Sequence, residues 1–231
     1  MIDGIDIVAG SMQADINRLN VASQNLANMD TNAYKRVTDE VTVPKNSAQN
    51  ITSVESGSGQ IDYSQGVLKY TGRKLNLAIE GDGFFQVKNG DSLFLTRRGE
   101  LKVDNQGFLT LLNGARLQNE NGDVQLASGD FKVDRQGNIY QDGNLPLSKL
   151  SIVHASPEQL VSVGTGLYTG RLSQPVEIPS VRQGFLETSN VNHLQEMVKL
   201  VELTRHFEAS QLVVQGYNTM LEEAITKIGR L

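Results

Sequence analysis

The sequence predicts an α+β chain: long N- and C-terminal helices forming an antiparallel coiled-coil stalk, with an all-β middle domain. Three observations predict it. Leu200, Leu203, Phe207, Ser210, Val214, Tyr217, Leu221, Ala224, Ile228 and Leu231 recur at steps of three and four, and all but Ser210 are apolar or aromatic. At the other end Met1, Ile5, Val8, Met12, Asp15, Leu19, Ala22, Leu26 and Met29 recur in the same way, with Asp15 as the polar exception. A repeat of this kind keeps one stripe of a helix facing a partner helix. Between the two stripes the pattern changes to short alternating apolar runs punctuated by turn signals, the mark of an all-β domain.

Taken in order, the first helix is expected over about residues 3–27. It stops in Asn28-Met29-Asp30-Thr31-Asn32, whose short polar side chains compete for backbone hydrogen bonds. Residues 33–45 read as extended chain closed by Pro44, and residues 47–60, rich in Ser, Gly and Asn, read as a linker. Strands are expected at 67–70, 75–79, 84–87, 93–96 and onward to 150–154, with Asn89-Gly90, Asn113-Gly114 and similar pairs between them. Lys102-Val103-Asp104-Asn105-Gln106-Gly107 recurs as Lys132-Val133-Asp134-Arg135-Gln136-Gly137, which reads as one hairpin chemistry used twice. Asn192 is a good N-cap for the last helix, with Gln195 placed to reach back. A helix of about 36 residues spans ~54 Å, longer than a small domain can cover. The expected organisation is therefore a stalk helix (1–32), an extended segment and linker (33–60), a β-rich middle domain (61–181), and a lead-in and stalk helix (182–231).

The bulk composition excludes several classes. The chain has 231 residues, 39% hydrophobic, with a formal charge of -5 and scattered basic residues, so neither disorder nor a nucleic-acid partner is expected. No apolar run approaches the ~20 residues that cross a bilayer, so no direct membrane insertion is expected. The absence of cysteine excludes disulfides, thiolate metal sites and a cysteine nucleophile. Met1-Ile2-Asp3-Gly4-Ile5-Asp6 carries neither a basic leader nor an apolar core, so no cleaved secretory signal is read.

Chemistry is not expected. His154, His193 and His206 have no neighbours at metal-ligand spacing, and His206 reads as a surface residue beside Arg205. Asp130, Asp134 and Asp142 read as turn formers, and Gly57-Ser58-Gly59 and Gly164-Thr165-Gly166 as turns, since neither leads from a strand into a helix. Glu187 and Glu196 flank the last helix, but no cleft is implied around them. No catalytic, cofactor or metal site is expected. The expected functional residues are an assembly interface made of Ile5, Val8, Met12, Asp15, Leu19, Ala22, Leu26, Leu200, Leu203, Phe207, Ser210, Val214, Gly216, Tyr217, Leu221, Ala224 and Ile228. Gly216 joins them because a glycine inside a helix costs about 1 kcal/mol and its presence suggests close backbone approach. Aligning the helix centres antiparallel places Asp15 near Ser210; the alternative pairs Asp15 with Arg18 on a wet surface.

Four segments resemble the flagellar basal-body rod and hook family of bacteria. Asn25-Leu26-Ala27-Asn28-Met29-Asp30-Thr31-Asn32-Ala33-Tyr34-Lys35-Arg36 is similar to its N-terminal signature, although Ala33 stands where the family usually has Gly. Leu75 to Val87, containing Glu80-Gly81-Asp82-Gly83-Phe84-Phe85, is similar to its central motif, which Thr96-Arg97-Arg98-Gly99 and Val103 to Leu109 continue. Gln183-Gly184-Phe185-Leu186-Glu187-Thr188-Ser189-Asn190-Val191-Asn192 is similar to its lead-in to the C-terminal helix. The short β-middle and Thr204-Arg205-His206-Phe207-Glu208 look like a proximal rod protein, with a distal rod protein next.

This resemblance implies a structural, non-enzymatic subunit exported by the flagellar type III apparatus and assembled helically in the periplasm with other rod proteins and copies of itself, transmitting torque. The competing expectation from another class is an oligomeric β-domain that binds a ligand and is dimerised by its terminal helices.

Overall fold

Asn192 caps the longest element of the chain, its side-chain oxygen accepting the Gln195 backbone N–H at 3.3 Å. Behind it the C-terminal helix α2 runs over His193–Ile228, 36 residues, and the N-terminal helix α1 runs over Gly4–Ala27, 24 residues. The computed structural model describes residues 4–38, 59–126, 131–141, 145–156, 160–170, 174–176 and 178–228. Residues 39–45 of the expected extended chain, nearly all of the expected linker at 47–60, the side chain of Ile228 and residues 229–231 lie outside them. The chain divides into two compact units, one of Met1–Met29, Arg36–Asp62 and Val191–Leu231, the other of Asp30–Lys35 and Tyr63–Asn190.

In the helical unit, α1 ends where the Asn28 backbone N–H bonds back to Gln24 and its side chain also donates to the Gln24 carbonyl at 2.8 Å. The ribbon β1 (Val37–Thr38) and β2 (Gln60–Ile61) is antiparallel, with Val37 opposite Ile61. Asn25, fully buried, grips this ribbon like a neighbouring strand: its amide donates to the Val37 carbonyl at 2.8 Å and accepts the Val37 N–H at 2.9 Å. Arg36 in turn bonds Glu196 near the start of α2 at 2.6 Å. Together with the Asp15–His206 contact, 2.5 Å, these anchors run the two helices antiparallel.

The long coiled-coil stalk is not there. One 24-residue helix lies against part of one 36-residue helix, and Glu196 is the single buried side chain among the described residues of α2. Leu200, Leu203, Phe207, Ser210, Val214 and Tyr217 are half-buried, and every described position from Asn218 to Lys227 is exposed. The reason is geometric: a three-four spacing states which face of a helix is apolar, and says nothing of how much of that face a partner covers.

The second unit is antiparallel β. Its strands are β3 (Leu68–Tyr70), β4 (Leu77–Ile79), β5 (Phe84–Asn89), β6 (Ser92–Thr96), β7 (Leu101–Val103), β8 (Leu109–Leu111), β9 (Arg116–Asn119), β10 (Gly122–Asp123), β11 (Lys132–Val133), β12 (Asn138–Tyr140), β13 (Pro146–Lys149), β14 (Ile152–Val153), β15 (Val161–Gly164), β16 (Leu167–Thr169), β17 (Val181–Gln183) and β18 (Phe185–Glu187). Among the described residues the main sheet runs β15-β16-β6-β5-β9-β8-β7, with β10 on β9 and β14 on β5, beside the sheet β11-β12-β13 and the ribbons β17-β4 and β18-β3. Leu77, Ile79, Phe85, Val87, Leu109, Leu117, Ile139 and Val181 are among the buried residues of its hydrophobic core. The sequence repeat is one turn built twice. Asp104 accepts the N–H groups of Gln106 and Phe108, both at 2.8 Å, and Asp134 accepts those of Gln136 and Asn138, both at 2.9 Å. Gly107 and Gly137 follow at φ 85° and 82°.

Candidate assembly interface

The four segments of the family resemblance meet, within the β unit, at one buried ionic node. Lys35 donates to Glu187 Oε1 at 2.5 Å and to the Ser64 carbonyl at 2.7 Å. Arg97 reaches Glu187 Oε2 at 3.5 Å and donates to the Gly81 carbonyl at 2.7 Å, with its guanidinium over the Phe84 ring. The Gly66 N–H also donates to the Glu187 carboxylate, at 3.1 Å. Lys35 and Glu187 side chains are both 1% exposed. Burial lowers the Arg97 pKa, and the Glu187 charge opposes that shift. Two cations on one carboxylate with a further backbone donor, and carbonyls accepting from both cations, is the geometry in which a buried ion pair is tolerable, because each charge has a partner.

The backbone around the node is equally constrained. The Ala33 N–H bonds the Glu187 carbonyl at 2.8 Å, and Ala33 itself is buried at φ 57°, a left-handed conformation that costs an L-residue about 1–2 kcal/mol. Gly99 passes so close to β4 that a Cβ there would overlap the Leu77 carbonyl, and Gly66 stands in the same relation to Thr188. Beside the node, Tyr63, Phe84 and Tyr168 meet edge to face. Burial pushes the Tyr63 hydroxyl up to about 12.

The seventeen expected interface residues all belong to the helical unit. Asp15 and Ala22 are buried on α1, and Ile5, Val8, Met12, Leu19 and Leu26 are half-buried. On α2 the half-buried positions run from Leu200 to Tyr217, Leu221 and Ala224 are exposed, and Gly216 has no atom within 4 Å of where a Cβ would stand. The register differs by one helical turn from the centre-aligned expectation. Asp15, 1% exposed, lies 2.5 Å from His206 Nδ1, four residues before Ser210, and 3.5 Å from Arg18. His206 keeps a 61% exposed side chain, so it is a surface residue with a buried partner. Glu187 and Glu196 do not form a pair: each is neutralised separately, Glu187 by Lys35 and Arg97, Glu196 by Arg36. Sequence reasoning missed these pairings; the one available signal was a carboxylate, Glu187, closing the otherwise apolar β18.

Among the described residues no helix is long and apolar enough to cross a membrane, and no group of three or more acidic or histidine side chains could hold a metal ion. Residues 182–227 match the family model described as the flagellar basal body rod FlgEFG protein C-terminal. The chain is 30% identical to the flagellar basal-body rod protein FlgG of Bacillus subtilis, over 90% of this chain and 92% of the relative. It is 28% identical to the flagellar basal-body rod protein FlgF of Rhizobium meliloti over 99% of both chains, and 27% identical to FlgF of Caulobacter vibrioides over the full length of both. Similarity of this extent, together with a node that joins the signature segments, makes the chain a member of the bacterial flagellar basal-body rod protein family.

Proposed function

We propose that this structural subunit of the flagellar rod occupies the proximal part of the rod and assembles helically with other rod proteins and with copies of itself. Its terminal helices carry the axial contacts. The supporting observation is α2: a 36-residue helix whose α1-facing stripe is half-buried up to Tyr217 and whose remaining surface is exposed. Such a helix has area to spare for neighbours, and packing apolar stripes stabilises association by ~25 cal/mol per Å². The interface comprises the seventeen residues named above, with Gly216 admitting a neighbouring backbone. Many such helices side by side would carry torque along the rod, which is a mechanical and not a catalytic role. Export runs through the flagellar type III apparatus without a cleaved signal, and assembly takes place in the periplasm. In this reading the division at 1–32, 33–60, 61–181 and 182–231 marks off the assembling ends, while Asp30–Lys35 and the stretch up to Asn190 pack with the β unit.

Electron microscopy of basal bodies from a strain lacking this chain tests the reading. Rods truncated near their base support it; full-length rods without the chain reject it.

A further inference from the structure

Basic residues that are scattered in the sequence are gathered by the β unit around β17. The Val181 N–H bonds the Arg135 carbonyl at 2.8 Å. The Gln183 side chain donates to the Lys74 carbonyl at 2.9 Å and the Phe131 carbonyl at 3.2 Å, and accepts the Val133 N–H at 3.0 Å. These bonds bring the turn at Arg73 and Lys74, β11 with Lys132, and the β11–β12 turn with Arg135 against the strand that carries Arg182. Arg73, Lys74, Lys132 and Arg135 are exposed, and Arg182 is half-buried. The carboxylates set among them are already engaged. Glu80 is forked by Arg182 at 2.7 and 2.8 Å, and Asp134 turns both oxygens into its own hairpin. Arg73, Lys132 and Arg135 make no ion pair among the described residues.

An aromatic stack borders the same cations. The Arg182 guanidinium lies 5.6 Å from the centre of the Phe185 ring, which lies 5.1 Å from that of Tyr70, and Tyr70 is 69% exposed. Gathered like charges repel one another, and at Arg73, Lys132 and Arg135 no ion pair within the described residues offsets the repulsion. We infer that this surface docks an acidic segment of another polypeptide, with carboxylates on Arg73, Lys132 and Arg135 and an apolar side chain on the exposed ring of Tyr70. Charge complementarity selects an acidic occupant. Arginine beside tyrosine and phenylalanine is the composition of protein–protein contact centres, which selects a polypeptide. A nucleic acid or an anionic membrane is a broad, uniformly negative surface, and a chain of formal charge -5 repels it everywhere outside this patch. The contact lies on the β unit and so goes beyond the helix-borne contacts proposed above. It holds wherever along the rod the subunit sits.

The probe is a fluorescently labelled synthetic peptide of alternating glutamate and alanine with one central leucine, read by anisotropy against the full chain at low salt. It should bind, and binding should weaken steeply as salt is added, because exposed charge pairs are screened. The same peptide with glutamine for glutamate should not bind. Arg73→Glu combined with Arg135→Glu should weaken binding at least about tenfold. Lys88→Glu combined with Lys102→Glu makes the same change in net charge on β5 and β7, and should leave the affinity within about twofold. Tyr70→Ala should weaken binding about threefold at every salt concentration. Arg73→Gln with Arg135→Gln, which adds no repulsive charge to the fold, should lose less than the reversed pair and more than the Lys88 and Lys102 pair. Circular dichroism and melting temperature should match the parent throughout. A parent chain that ignores the acidic peptide overturns the inference. So do equal losses in the two charge-reversed pairs, undiminished binding of the glutamine peptide, or tighter binding to duplex DNA or anionic vesicles than to the peptide.

Discussion

Ala33 shows how far a single position can be read. A turn built for glycine but occupied by alanine has either to avoid positive φ or to be strained, and the structure chooses strain, φ 57°, held by the bond to the Glu187 carbonyl. Ala33→Gly relieves about 1–2 kcal/mol of that strain while adding roughly 0.5–1 kcal/mol of unfolded-chain entropy and losing a buried methyl. It should leave stability within about 1 kcal/mol of the parent. Ala33→Val, β-branched at the same φ, should lose about 2 kcal/mol or more. Urea unfolding of both checks this, and an unaffected valine variant contradicts the strained turn. Glu187 was not legible in the same way. Its partner Lys35 lies 152 positions away, and nothing local selects that lysine from the chain's 21 basic residues. Glu187→Gln should cost about 3–5 kcal/mol, because it leaves two buried cations without a counter-charge. A loss under 1 kcal/mol would show the node to be wet.

At the scale of elements, the hairpins were legible because turn chemistry is local. Asp104 and Asp134 sit two and four residues from the N–H groups they bind, so the repeat carries its own geometry. Burial acts to raise the Asp134 pKa, but hydrogen bonds from the Asn138 side chain and N–H, the Tyr140 hydroxyl and the Gln136 N–H outweigh it and hold the carboxyl below its ordinary range. A depressed folded value means stability that is present in full above the unfolded value of about 4 and lost as pH falls through the folded one. Asp134→Asn should therefore be less stable than the parent at pH 7, with the gap closing below about pH 4 in denaturant titrations. A gap constant with pH contradicts this. The helices were legible in existence and facing but not in coverage or register. Asp15 marked a polar layer, yet whether it met Ser210 or His206 depended on a one-turn shift that the repeat permits equally.

At the scale of the molecule, the division into a helical and a β part follows the change of period along the sequence, while the parts of the chain that complete each unit do not. Asp30–Lys35 belongs with the β unit because Lys35 enters the node, although it continues the N-terminal signature. A fragment of residues 30–190, which keeps Lys35, β17, β18 and Glu187, should unfold cooperatively and at a higher temperature than one of residues 61–181. Equal melting temperatures would remove the node from the stability of the β unit.

The central claim, that the terminal helices build the rod, is tested most directly at Gly216. A side chain there meets nothing within the chain, so Gly216→Leu should keep the subunit folded and at least as helical. The amount of this variant in purified basal bodies, measured against the parent by quantitative mass spectrometry, is the deciding quantity. The account predicts a folded subunit that is absent from the rod; incorporation at the parental level would contradict it.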